Sequence, residues 1–175
     1  MTHNELKEKY IKGEILIGIE PSIARQFFTD LDAETVKQNT GEYFAIERLK
    51  VKIVWLLQFA FVLAAIVTSI FAIKWYSLIY IPIIFISWFY YMGRASIGNQ
   101  SMLYVTLLVL LSFILSFIFK DKEIIFIVWL ILTSLPFYFA RLTYKLSTIY
   151  FRAIVLKNES IFNMYFTTGF WIKIL

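Results

Sequence analysis

IVWLLQFAFVLAAIVTSIFAI, residues 53–73, decides how this chain is read. Its 21 consecutive positions carry no charge, and only Gln58, Thr68 and Ser69 interrupt the apolar run. As an α-helix the stretch rises about 1.5 Å per residue to roughly 32 Å, the thickness of a bilayer's hydrocarbon core. In that core a helix satisfies its own backbone hydrogen bonds. Three more windows share this character, at 75–92, 102–119 and 124–140. None of the four, each 17 to 21 residues long, contains Asp, Glu, Lys, Arg or His.

The expected fold is an all-α integral membrane protein with four transmembrane helices. The links after residue 73 and across 120–123 are very short, which pairs the helices as two tight hairpins. The expected organisation is a cytoplasmic N-terminal segment over 1–41, a four-span helical domain over 42–157, and an interfacial or cytoplasmic tail over 158–175. Composition agrees. Of 175 residues 60% are hydrophobic and 19% aromatic, with a mean hydropathy of +0.72. A water-soluble domain of this size still needs a polar exterior, and this composition leaves little to build one.

Charge sets the expected orientation. Residues 37, 48, 50, 52, 94, 141, 145, 152 and 157 place nine Lys or Arg on one side of the spans, whereas the other side has only Lys74, Lys120 and Lys122. Cytoplasmic loops are enriched in cations, so both termini are expected inside, in the cell membrane. The net charge of +5 is uneven. Residues 1–50 hold seven Lys/Arg against nine Asp/Glu, and 141–175 hold five against one. Retention of basic loops in the cytoplasm accounts for this without a nucleic-acid partner. The opening MTHNELKEKYIKGE has no apolar core of a secretory signal, so the first span is expected to serve as an uncleaved anchor. The sequons at Asn99 and Asn158 fall on the inner side and are expected to stay unmodified.

Outside the spans the signals are local. Glu14–Glu20 (EILIGIE) reads as a short strand, and Pro21-Ser22 opens a helix to about Leu31. Asn39, Thr40 and Gly41 read as a breaker, with Thr40 capping a helix that starts near Glu42. Residues 141–157 lack Gly and Pro, so the fourth helix is free to continue past Ala140. The apolar tail from Asn158 is too short for a fifth span. It either lies at the interface or packs on the N-terminal segment, where Trp171–Leu175 can pair with Ile15–Ile19.

Two patterns are candidates for function. Ala60, Ala64, Thr68 and Ala72 recur at i+4 in the first span, beside Ala65 and Ser69. Small residues at this spacing let another helix approach closely, either within the chain or as a subunit seam. Arg141, Lys145, Thr148 and Arg152 share one helix face, suited to anionic lipid head groups or another anion. Gln58, Ser87, Thr106, Ser112, Ser116, Thr133 and Ser134 are expected to bond mostly within their own helices. Thr133 and Ser134 also stand near the backbone group that Pro136 frees.

Catalytic and metal chemistry finds little purchase. Cysteine is absent, which removes disulfides, thiolates and thiolate-held metals. The lone histidine, His3, lies in a terminus expected to be mobile. GRASIG, residues 93–98, lacks the Lys-Ser/Thr of a phosphate loop. Asp30, Asp32 and Glu34 match no metal loop. No cofactor or metal is expected, and a lipid-modifying enzyme is the least favoured class. What remains is a non-enzymatic membrane protein, with membrane lipids as partners. It is read as a self-assembling channel or membrane effector (a homo-oligomer), or alternatively as an accessory, immunity or scaffold subunit of a larger membrane complex.

Overall fold

A computed structural model describes residues 2–96, 102–119, 121–166 and 170–174. The described chain is overwhelmingly helical. Three of its helices are long and apolar enough to cross a membrane. The chain divides into two compact units. One combines Met1–Lys52 with Tyr144–Leu175, and the other is Ile53–Thr143.

In the first unit, α1 (His3–Ile11) opens with a capping box. The Thr2 hydroxyl accepts from the Glu5 N–H, and the Glu5 carboxylate accepts from the Thr2 N–H. Gly13 (φ +73°) turns the chain into β1 (Ile15–Ile19), whose isoleucines suit a pleated strand. Pro21 then occupies the first turn of α2 (Pro21–Thr29), where its missing N–H costs nothing. A helix not expected from the sequence follows, α3 (Ala33–Thr40). Asp32 caps its start, and Gly41, in the left-handed region at φ +71°, ends it. Thr40 therefore closes α3 instead of capping the next helix, and its hydroxyl donates back to the Val36 carbonyl.

The chain ends complete this unit. α8 (Glu159–Tyr165) is capped by the Asn158 side chain and packs against α3 and α1. β2 (Phe170–Ile174) pairs antiparallel with β1, in a register that sets Ile15 opposite Ile174 and Gly18 opposite Trp171. The tail thus takes the expected packing on the N-terminal segment and the expected strand partner. Leu175 lies outside the described residues. The core is made of Ile15, Ile17 and Ile19 on β1, Phe27 and Phe28 on α2, and Phe151 further along the chain, all nearly inaccessible. Ring centroids lie 4.8 Å apart for Phe27 and Phe151, and 5.0 Å for Phe27 and Phe28.

α4 (Ala45–Ala72) and α7 (Ile124–Lys157) each contribute to both units. α7 runs on past Ala140 without a break, as its lack of Gly and later Pro allowed. In the second unit α4 is followed by a 3-10 turn over Lys74–Tyr76 and by α5 (Ser77–Ser96). Lys74 takes φ +49°, a left-handed conformation usually left to glycine. α6 (Met102–Ile118) is a shorter apolar helix of 17 residues. α7 touches each of the other three, through Phe61–Phe139, Tyr91–Phe137 and Ser112–Ser134. Gly93 to Ser96, the first part of GRASIG, are the last residues of α5 and not a turn, and the Asn99 sequon falls outside the described residues.

Candidate functional site

The small-residue stripe on α4 sits at the edge of the packed face, not at its centre. Gln58, Val62, Ala65 and Ser69 are the buried set, while Ala60 is exposed and Ala64, Thr68 and Ala72 are half-buried. Helix geometry explains the offset. A repeat of four residues advances 400° against 360° per turn, so the stripe rotates about 40° at each step. It winds from the open side at Ala60 toward the packed side at Ala72. The Thr68 hydroxyl donates to the Ala64 carbonyl at 2.7 Å and leaves no unmet polar group on this face. Ala65 and Ser69, which flank the expected stripe, are fully buried within the unit.

Hydroxyls in the apolar helices bond mainly back to their own backbone, as expected. Ser112 donates to Val109, Ser116 to Ser112 and Ser134 to Ile131. Two pairs also join helices: Tyr80 with Thr133 at 2.9 Å, and Ser112 with Ser134 at 3.0 Å. The carbonyl that Pro136 frees belongs to Leu132. Thr133 and Ser134 do not take it, since their bonds go to Trp129 and Ile131. A shallow apolar groove of about 190 Å³ lies between α6 and α7, lined by Leu111, Leu115, Leu130 and Phe137 with these hydroxyls at its base.

On α7, Arg141, Lys145 and Arg152 do share one face. Lys145 is exposed, and the two arginines are half-buried. Each arginine keeps its Nε buried without a hydrogen-bond partner among the described residues. The Thr148 hydroxyl donates to the Tyr144 carbonyl.

Other polar residues singled out from the sequence have structural work. His3 is buried, contrary to the mobile terminus expected. Its Nε2 donates to the Val155 carbonyl at 2.9 Å, among the last carbonyls of α7 that have no partner within the helix. Asp30 pairs with Arg25 at 3.3 Å. The Asp32 carboxylate accepts from the Thr35 N–H at 2.5 Å, and that bond holds its pKa below the usual value. Among the described residues no three or more acidic or His side chains come together as a metal site. Asn158 is nearly inaccessible. Its side chain accepts from the Ile161 N–H and donates to the Thr40 carbonyl, so its amide is engaged in the fold whichever side of a membrane it faces.

Sequence reasoning missed Arg48. It counted as one of nine loop cations, yet it is 3% exposed and donates to the carbonyls of Phe27 and Leu31. It closes the C-terminal end of α2, a role well matched to a cation at a helix C-terminus. A cation one turn before a long apolar run carries no local signal of this. Compared with known proteins, the chain matches no family model, no curated protein and no solved structure.

Proposed function

We propose that this chain is a non-enzymatic, multi-pass protein of the cell membrane that assembles with copies of itself as a channel or membrane effector. In this reading four helices span the bilayer as two hairpins. α6 is the shortest, and at about 1.5 Å per residue its 17 residues reach roughly 26 Å, close to a core of about 30 Å. Both termini lie in the cytoplasm, on the side favoured by the excess of loop lysine and arginine.

The observation that carries self-assembly is the surface left on α4. The chain's own packing uses Gln58, Val62, Ala65 and Ser69, and leaves Ala60, Ala64, Thr68 and Ala72 open or half-open. In lipid, apolar helices gain nothing by hiding from their solvent. A small-residue face that allows close backbone approach is what remains to drive their association. A second copy offers the same face in return.

The test is the native mass of the purified chain in mild detergent, together with ion release from liposomes. We expect a closed oligomer and leaky liposomes, with both lost in Ala64→Leu while helical content is kept. A monomer that leaves liposomes tight ends the channel reading. A different protein recovered in fixed stoichiometry replaces it with the accessory-subunit reading.

A further inference from the structure

We propose that the first two turns of α4 lie in the head-group layer of the bilayer and bind anionic phospholipid through Lys50 and Lys52. The inference rests on the membrane-spanning reading of α4 and adds a lipid class and a position to it.

The rotation of these turns is set from within their own unit. Val51 is fully buried, and Arg48 is buried on the same side with its guanidinium bonded to the carbonyls of Phe27 and Leu31. The opposite side of the helix must then face outward, and it carries Ile46 and Leu49, exposed at 65% and 60%. Neither is a polar residue suited to water. Both lie on an exposed apolar ridge that continues along the same helix through Ile53, Leu56 and Leu63 to Phe71.

The length of that ridge locates its start. From Ile46 to Phe71 it rises about 38 Å at 1.5 Å per residue. A hydrocarbon core takes up only about 30 Å, and core plus head groups about 40–45 Å. About 8 Å, or roughly one and a half turns of apolar surface, is therefore left over for the head-group layer. The N-terminal end carries two exposed lysines, Lys50 and Lys52, within the turns of the ridge itself, against the single Lys74 beyond its other end. At 100° per residue, exposed Lys50 and Lys52 lie on either side of the Ile46–Leu49 ridge, while Glu47 lies across the helix from it. Lys50 Nζ stands 5.8 Å from the centroid of the Tyr150 ring, which holds its stem along the protein surface. An apolar ridge bracketed by two lysines matches acyl chain below and phosphate above.

The chain has no cysteine, so single spin labels can be placed without background. Ile46→Cys, Leu49→Cys and Leu63→Cys are labelled in the full chain and reconstituted in phosphatidylcholine vesicles, with or without phosphatidylglycerol. Relaxation by oxygen is compared with relaxation by an aqueous nickel chelate. Labels at 46 and 49 should be reached by oxygen and shielded from the chelate, at shallower depth than the label at 63. Chelate access at 46 and 49 with 63 still in lipid overturns this inference alone. Shielding of 46 and 49 from both agents also overturns it, because protein then covers the ridge. Chelate access at 63 as well removes the membrane-spanning reading beneath it. In the Lys50→Gln, Lys52→Gln double variant, preference for phosphatidylglycerol over phosphatidylcholine should fall roughly thirtyfold. An unchanged preference rules out anionic recognition by these lysines.

Discussion

The two units of this chain differ in how large a share of their buried residues is polar. In the unit made of the chain ends, Phe, Ile and Val fill the interior, and most charged side chains stay outside. In the unit from Ile53 to Thr143, the buried set includes Gln58, Ser69, Ser112, Ser116 and Ser134, while Leu63, Trp75, Ile86, Tyr104 and Phe117 face outward. The first pattern is that of a domain solvated by water, where apolar burial is the main driving force. The second follows if the outer solvent is itself apolar. Then burying another leucine brings little, and packing of small residues with short polar links decides which helices meet. On that reading two different packing rules hold within 175 residues.

The contrast can be broken most sharply in the first unit. Phe27 is 2% exposed; its ring meets Phe28 and Tyr165 edge-on and lies tilted against Phe151. Phe27→Ala should cost that unit about 3–5 kcal/mol, as deletion of a core aromatic does elsewhere. Brief proteolysis at increasing urea would read it as earlier cleavage within residues 1–52. If the cleavage midpoint does not move, the aromatic cluster is not a water-driven core and the distinction between the units fails.

A second test addresses the other rule. Ser112 and Ser134 lie 3.0 Å apart on α6 and α7, and each also bonds its own backbone. A double-mutant cycle to alanine should show a coupling of only about 0.6 kcal/mol, typical of interhelical hydrogen bonds in a membrane. Thermal unfolding in detergent or bicelles provides the measurement. A coupling of several kcal/mol would mean that buried polar links, and not close packing, hold this unit together.

The long apolar helices were legible because they depend only on local composition: an uncharged run of this length reads as a helix without reference to any distant partner. The extension of α7 was legible for the same reason, since nothing between 141 and 157 stops a helix. The pairing of β1 with β2 was also within reach, because isoleucine-rich segments outside the spans are few. The contacts that bind the chain ends were not. His3 meets Val155 across 152 residues and Asn158 meets Thr40 across 118, and no periodicity encodes partners so far apart. α3 was hidden by its polar composition, AETVKQNT, which places only Val36 in the core. The alanine stripe was legible as a pattern on α4, but its repeat does not say which face the chain's own packing takes up: Gln58, Val62, Ala65 and Ser69 are buried, and Ala60, Ala64, Thr68 and Ala72 are open or half-buried. A strict i+4 repeat drifts off the face that a helix of 3.6 residues per turn actually buries, and the packed set 58, 62, 65, 69 alternates steps of four and three.

The smallest effect to look for lies in α3, which places only Val36 in the core and is capped by one carboxylate. Asp32 is fully exposed, and its pKa is lowered chiefly by the Thr35 backbone N–H, followed by the Asp32–Thr35 side-chain hydrogen bond. A carboxylate whose folded pKa lies below its unfolded value stabilises the fold at any pH above that unfolded value. The contribution disappears as pH falls through the folded pKa. For an aspartate the window opens below about pH 4. Hydrogen-exchange protection at the start of α3, corrected for intrinsic rates, should therefore weaken between pH 6 and pH 3 relative to Asp32→Asn, whose neutral amide oxygen still caps the helix. Glu5, lowered by its bond from the Thr2 N–H, should act in the same direction at α1. If wild type and Asp32→Asn lose protection in parallel, packing and not the cap holds α3. The unit made of the chain ends would then depend on its apolar core even where its helix is most polar.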